Sequence, residues 1–133
     1  MKGIDWTTSQ RVAKAIDARV GECVANAARA IIDFRSILPA EVSFVEGFWM
    51  NGGQLNGHTW LETPTAIVDP TLVLERNVEL RETAKHHAVS TYTEAQIRLR
   101  FSKTARGPGV RLPMLLDIDD PAIRELMHRL DPP

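Results

Sequence analysis

Hydrophobic residues near the start of the chain repeat at the spacing of an amphipathic helix. Val12, Ile16 and Val20 recur every four residues, and charged residues lie outside that stripe. This pattern predicts a helix with one apolar face, which Gly21 ends. The candidate N-cap residues, after which the helix would begin, are Thr7, Thr8 and Ser9.

A second helix is predicted directly after Gly21. Its apolar positions follow three- and four-residue steps, so Cys23 falls in the first turn of the helix. These positions are Val24, Ala27, Ala28, Ile31 and Phe34.

Beyond Pro39 the pattern becomes that of strands. Val42 and Phe44 predict a strand that continues toward Phe48, with a bulge or a close backbone approach at Gly47. Residues 51–57 contain three glycines and two asparagines, and they are predicted to form a loop.

A hairpin is predicted around residues 63–64. Strand-forming residues at 60–61 and 67–68 flank this Thr-Pro dipeptide. If residues 63–64 form a two-residue loop, His58 lies directly opposite Asp69 on one sheet face, with Cβ atoms ~5 Å apart. A one-residue slip would place the two side chains on opposite faces. The other facing pairs in this register are Glu62 with Thr65 and Trp60 with Ile67.

The remaining residues predict further short elements. Apolar residues on either side of residues 75–77 indicate another strand pair. Thr91 and Glu94 have the spacing of a capping box that opens a helix, although residues 97–101 also alternate as in a strand. Asp120 followed by Pro121 is typical of a helix start. The apolar positions that this last helix would bury are Ile123, Leu126, Met127 and Leu130.

This region has two polar features, a pair of histidines and a basic stretch, and neither favours a separate metal or binding site. His86 and His87 are adjacent, so their side chains diverge, and no cysteine or carboxylate joins them at ligand spacing, so no metal site is predicted. A locally basic stretch is interpreted as a solvated face, with recognition of an acidic peptide as the alternative. Its members are Arg98, Arg100, Lys103, Arg106 and Arg111.

Composition narrows the class of protein. The 133 residues predict one domain spanning 1–133, and a net charge of −1 gives no basic field for nucleic acid. A single cysteine excludes an internal disulfide and suits a reducing compartment. The chain has no apolar signal segment and no run of 18 apolar residues, so we expect a cytoplasmic protein without a membrane partner.

Cys23, His58 and Asp69 are the candidates for chemistry. A thiol in the first turn of a helix lies at the positive end of the helix dipole, which favours the nucleophilic thiolate. An aspartate that orients an imidazole would supply the rest of a nucleophilic triad. The alternative interpretations are a buried inert cysteine and a surface hairpin.

The ordered motifs resemble the transglutaminase-like superfamily. The resemblance covers residues 20–71, with Thr59 where alanine is usual and Glu41 where arginine is usual. It implies a papain-like α+β fold, in which N-terminal helices pack on an antiparallel sheet. It also implies a Cys-His-Asp triad at Cys23, His58 and Asp69. The matching motifs are Gly21-Glu22-Cys23, the strand up to Gly47-Phe48, His58-Thr59-Trp60-Leu61-Glu62 and Ile67-Val68-Asp69-Pro70-Thr71.

The function implied by this resemblance is that of a thiol-dependent peptidase or amidase, with no cofactor and a peptide or protein as substrate. Transfer of the acyl group to an amine and a non-catalytic peptide-binding module remain alternatives. In papain-like enzymes a side chain upstream of the cysteine often contributes to the oxyanion hole, so the resemblance makes Gln10 and Trp6 candidate oxyanion donors. Trp49 and Trp60 are candidate substrate or oxyanion contacts. Small relatives in this superfamily include leader-peptide proteases. No further partner protein is identified.

Overall fold

The computed structural model describes residues 2–51 and 53–131, where helices and strands combine in an α+β arrangement. The described helices are α1 (Trp6–Ile16), α2 (Cys23–Asp33), α3 (Val78–Thr83), α4 (Glu94–Phe101) and α5 (Pro121–Leu130), with 3-10 helices at Arg35–Ile37 and Leu72–Leu74. The described strands are β1 (Gly3–Ile4), β2 (Ser43–Asn51), β3 (Gln54–Glu62), β4 (Ala66–Val68) and β5 (Lys85–Tyr92). Within these ranges no helix combines the length and the apolar character needed to cross a bilayer.

The five strands form one sheet in the order β1-β4-β3-β2-β5. Strands β4, β3, β2 and β5 pair antiparallel, whereas β1 pairs parallel with β4. The expectation of a purely antiparallel sheet is therefore wrong at this edge. A parallel pair needs a long connection, and two helices and two strands lie between β1 and β4.

The larger hydrophobic core lies between the sheet and helices α1, α2 and α4. Alternation along the strands directs Phe44, Leu61 and Val68 into this core. Val45 and Trp60 point to the other face, where they form a smaller buried cluster with Ile67. As α2 packs against β3, its first turn reaches the strand that carries His58.

The boundaries of α1 differ from those predicted. The helix begins before all three predicted caps, because the Asp5 carboxylate accepts the Thr8 N–H at 3.0 Å and caps it. It ends at Ile16, where Asp17 adopts a left-handed conformation. Val20 therefore lies outside the helix and is 73% exposed. The second predicted helix is confirmed, with Cys23 as its first residue.

The loop predicted at residues 51–57 is largely wrong. Strand β2 runs to Asn51 and β3 starts at Gln54, with these two residues paired, so residues 54–57 belong to a strand. Gly53 has φ of +80°, the conformation that a tight hairpin turn needs and that glycine adopts without strain. Gly52 lies outside the described residues.

The predicted register between β3 and β4 is also wrong, by two residues. Leu61 pairs with Val68 and Glu62 pairs with Ile67. The Thr63 N–H donates to the Ala66 carbonyl at 2.9 Å, so residues 64–65 form the turn. A shift of two residues preserves the facing of every side chain, because the strand period is two. His58 and Asp69 therefore remain on one face, as diagonal rather than direct neighbours.

The region after Asp69 is helical instead of the predicted strand pair. The Asp69 carboxylate accepts the N–H groups of Thr71 and Leu72, which closes a turn into a 3-10 helix. Asn77 caps α3 by accepting the Leu80 N–H at 3.2 Å. Local hydrogen bonds to side chains thus override the alternating apolar pattern in this segment.

Strand β5 was not predicted, whereas helices α4 and α5, which follow it, were predicted. The capping box of α4 is formed by Thr93 and Gln96, two residues beyond the predicted box. The helical interpretation of this segment is nevertheless confirmed. The cap of α5 at Asp120, followed by Pro121, is confirmed. The four apolar residues of α5 are only half-buried, contrary to expectation.

The close backbone approach predicted at Gly47 is confirmed. The register between β2 and β5 shifts between Glu46 and Gly47, which marks a bulge or irregularity. A Cβ atom built on Gly47 would lie 2.0 Å from the His87 carbonyl oxygen and 2.9 Å from the Val89 nitrogen. Both are backbone atoms of the neighbouring strand, so only a glycine fits between the strands.

We expect Gly47→Ala to lower the free energy of unfolding by about 1–3 kcal/mol or more, because the added methyl group must push β2 and β5 apart. Denaturant unfolding measures this loss. Gly3→Ala is the matched control, since a Cβ atom at Gly3 has no neighbour within 4 Å. Equal unfolding midpoints for the two variants would contradict the close approach.

Candidate active site

Cys23 lies at the start of α2, next to a loop that buried side chains hold in place. Gly21 has φ of +78°, so it turns the chain into the helix without strain. Asn26 is fully buried. Its Oδ1 atom accepts the Arg19 N–H at 3.1 Å, and its Nδ2 group donates to the Arg19 carbonyl oxygen at 2.9 Å. Arg29 is 3% exposed and donates to the Ile16 carbonyl oxygen at 2.8 Å. The position of the thiol is thus fixed by its own helix.

His58 and Asp69 form a buried hydrogen-bonded pair. The His58 Nε2 atom lies 2.7 Å from the Asp69 Oδ2 atom, and the two residues are 4% and 0% exposed. This distance confirms the predicted contact. The Asp69 backbone N–H donates to the Ser9 hydroxyl at 2.9 Å, so α1 anchors the end of β4.

The Cys23 thiol completes a chain of three groups. It makes a hydrogen bond with the His58 ring and accepts another from the Thr59 N–H. Burial raises the pKa of the thiol, but the hydrogen bond and the charge of His58 outweigh burial, so the pKa lies below its ordinary value. Since Nε2 of His58 is bonded to Asp69, the Nδ1 atom is the one left to face the sulfur.

The pKa of the His58 imidazole shifts in the opposite direction from that of the Cys23 thiol. Burial alone would lower the pKa of His58, but the charge of Asp69 and its hydrogen bond raise it to about 10. The same pairing lowers the pKa of Asp69 despite complete burial. A lowered thiol pKa beside a raised imidazole pKa favours the thiolate–imidazolium pair over the neutral pair.

A second histidine, His86, also contacts Asp69, and the sequence did not predict this contact. Its Nε2 atom lies 2.7 Å from the same Oδ2 atom, and its side chain is 2% exposed. The predicted divergence of His86 and His87 is confirmed, since the His86 side chain is buried and His87 is exposed on the same strand. Strand β5 pairs with β2, and this pairing places His86 beside Trp49. No local sequence pattern predicts which strands pair, so the contact of His86 could not be predicted.

Two tryptophans flank the His58 ring. The Trp60 ring stacks on it with centroids 5.8 Å apart, and the Trp49 ring meets it edge-on at 4.9 Å. Trp60 is fully buried and its Nε1–H donates to Glu62 at 2.8 Å, so the position of its ring against the imidazole is fixed. The Trp49 Nε1–H is buried, and within the described residues it has no hydrogen-bond partner.

The other two candidate oxyanion donors lie elsewhere. Gln10 is exposed on α1 and lines a different cavity from that of the thiol. Trp6 lies under the guanidinium of Arg81, 5.7 Å from its ring centroid, and also lines a separate cavity. The structure therefore brings neither residue beside Cys23.

An open cavity of about 600 Å³ gives access to Cys23 and His58. Its apolar wall includes Val20, Trp49 and Leu74. Glu75 and Arg76 also line it and add one charge of each sign. The size and the apolar wall of the cavity suit a ligand that carries an apolar group.

The segment after α4 runs beside this site. The Gly109 N–H donates to the Glu22 carboxylate at 2.9 Å, next to the helix start. The Met114 sulfur lies 3.0 Å from the position of a Cβ atom on Gly57, a residue that lines the cavity. Residues 109–114 thus connect the helix that carries Cys23 to the strand that carries His58.

Glu46 holds the end of this segment. It is fully buried and accepts the N–H groups of Leu115 and Leu116 and the hydroxyl of Thr59. Burial raises the pKa of Glu46, although these three donors oppose the shift. Because Thr59 also donates its N–H to the Cys23 thiol, Glu46 helps to fix the strand next to the nucleophile.

His58, Asp69 and His86 also have the donor atoms of a metal site, all within 4.8 Å of one another. However, both Nε2 atoms are directed at one carboxylate oxygen at hydrogen-bond distance, and the three side chains are at most 5% exposed. A catalytic metal needs an open coordination position for water or substrate. The closed geometry fits a proton-sharing network rather than a catalytic metal centre.

The buried network and the open cavity meet at Cys23, so a thiol, an imidazole and a carboxylate lie in one connected site. Comparisons of the chain with protein-family models, with curated proteins and with solved structures found no match.

Proposed function

We propose that this protein is a thiol-dependent hydrolase that cleaves a peptide or amide bond through Cys23, His58 and Asp69. The observation that carries the proposal is the continuous chain from the cavity to the buried carboxylate, in which the thiol contacts His58 and His58 contacts Asp69 at 2.7 Å. A nucleophile, its base and the group that orients the base are the parts that covalent catalysis requires.

In the first half of the reaction, the Cys23 thiolate attacks the carbonyl carbon and a C–S bond forms. The π electrons move onto the carbonyl oxygen, where the Cys23 backbone N–H stabilises the negative charge. Within the part of the chain that the structure describes, the side chain of the N-cap residue Glu22 makes no capping hydrogen bond to the first turn of α2. Trp49 lines the same cavity, and its buried Nε1–H has no hydrogen-bond partner among the described residues, so Trp49 is the second candidate donor.

The tetrahedral intermediate then collapses. The C–N bond breaks as the nitrogen takes a proton from Nδ1 of His58, and an amine leaves. The acyl group remains on Cys23 as a thioester. Water next attacks the thioester while His58 accepts its proton, the C–S bond breaks, and the carboxylic acid leaves with the thiolate restored. Asp69 stays ionised throughout and keeps the Nε2–H of His58 in place.

The resemblance of residues 20–71 to the transglutaminase-like superfamily supports this proposal, as does the order of cysteine, histidine and aspartate along the chain. A papain-like core is the corresponding fold proposal. The α+β architecture, with a helix start carrying the cysteine against a sheet carrying the histidine, is consistent with it. An amine could replace water as the thioester acceptor, which would make the protein an acyltransferase.

Incubation with a peptide library in H₂¹⁸O, followed by mass spectrometry, tests the proposal. We expect cleaved peptides with ¹⁸O in the new carboxyl terminus, in the native protein and not in Cys23→Ala. Adding a primary amine separates the two fates of the thioester, because acyl transfer gives amide adducts instead of acids. Cleavage that persists in Cys23→Ala would remove Cys23 from the mechanism. If no peptide is cleaved or converted to an adduct, with or without the amine, the non-catalytic peptide-binding module becomes the better interpretation.

A further inference from the structure

We propose that His86 is a positioning residue of this site, which acts by donating a hydrogen bond to Asp69. The inference rests on the proposed function and concerns how the base is held. Asp69 Oδ2 lies 2.7 Å from Nε2 of both His58 and His86, so one carboxylate oxygen is shared by two imidazoles. A carboxylate oxygen accepts both bonds only when both Nε2 atoms carry a proton.

This sharing determines the tautomer of His58. With the proton on Nε2, the lone pair or the second proton of the ring is at Nδ1, on the side of the sulfur. The other oxygen of Asp69 accepts the N–H groups of Thr71 and Leu72 at 3.1 and 2.9 Å. The carboxylate therefore has four donors, two on each oxygen, and cannot rotate without losing them. His86 supplies the donor that completes this set.

His86 also supports the rings around the base. Its ring meets the Trp60 ring edge-on with centroids 4.8 Å apart, and Trp60 stacks on His58. A packing role and a hydrogen-bonding role are thus both available to His86, and they predict different variants. His86→Phe keeps a ring and loses the donor, whereas His86→Gln loses the ring and keeps an N–H at a comparable position.

The test uses the rate of Cys23 alkylation by iodoacetamide, measured from pH 5 to 9, which requires no substrate. We expect His86→Phe to slow alkylation at pH 6 by roughly tenfold to hundredfold, as for loss of a hydrogen bond to a charged group. His86→Gln should restore the rate to within about threefold of the native protein. If instead His86→Phe alkylates at the native rate and His86→Gln is slowed, His86 acts by packing alone and the inference is overturned.

The neighbouring histidine provides the matched control. His87 is exposed on the same strand, so His87→Phe and His87→Gln make the same chemical changes away from the network. Both should alkylate like the native protein. If the native thiol itself shows no activation, the proposed function fails; if it is activated and His86→Phe equals it, only this inference fails.

Nitrogen-15 NMR of the labelled imidazoles gives a direct measurement of the two tautomers. The chain has four histidines, so the resonances can be assigned by the single variants. We expect a proton on Nε2 of both His58 and His86, and loss of only the His86 signal in His86→Gln. A native His86 that carries its only proton on Nδ1 would overturn the inference, even if every variant failed to fold.

Discussion

Asp69→Asn is expected to lower turnover by up to ~10⁴-fold, the loss known for triads in which the imidazole is held in the wrong tautomer. The side-chain amide cannot replace the carboxylate here. Each oxygen of Asp69 accepts two hydrogen bonds, one oxygen from His58 and His86 and the other from two backbone N–H groups. Whichever way the asparagine turns, its NH₂ group faces two donors.

The same substitution should also lower stability, which the sequence alone did not suggest. Each buried donor left without an acceptor costs about 1–3 kcal/mol, so the unfolding midpoint of Asp69→Asn should fall clearly. Turnover must therefore be compared at a temperature where both proteins are folded, as checked by circular dichroism. Asp119→Asn is the matched control, because its carboxylate is largely exposed and, among the described residues, pairs with the exposed Arg124. Full activity in folded Asp69→Asn would remove Asp69 from the mechanism.

Cys23 is expected to react with iodoacetamide at pH 6 far faster than a free thiol. A free thiol with a pKa of ~8.5 is only about 0.3% ionised at that pH. The contact with His58 lowers the pKa of the Cys23 thiol, so a much larger fraction is thiolate. His58→Ala removes that contact and leaves the burial, which raises the pKa. The rate at pH 6 should then fall on the order of 10²-fold.

The measurement is unambiguous because Cys23 is the only cysteine. His128→Ala is a suitable control, since this residue is exposed on α5. A native pH profile that matches a free thiol, and that does not change in His58→Ala, would mean that the imidazole does not activate the cysteine. The inert buried cysteine would then be the better interpretation.

Local features of the chain were predicted where one element contains all the residues that determine it. The periodic apolar residues of α2 and the turn at Gly21 lie within a few positions of Cys23. The same holds for α5, where Asp120 and Pro121 start the helix without help from distant residues. In contrast, α1 was placed too late, because Asp5 and the hydroxyl residues are equally good caps in isolation.

The site was predicted only in part. The facing of His58 and Asp69 was correct although the turn was not, because an error of two residues leaves every side chain on its own face. The stretch around residues 51–57 was misassigned, since glycine and asparagine are typical of loops and give no sign that a neighbouring strand pairs with them.

The sequence by itself determined which groups are available: one thiol at a helix start, and a histidine and an aspartate on a common strand face. Only the tertiary structure decided that they meet, and that His86 joins them. Strand β5 pairs with β2 across some forty residues of sequence, and the sheet order is not the chain order. The free energy that selects such a pairing comes from burying both strands and their side chains together, which no local pattern of residues contains.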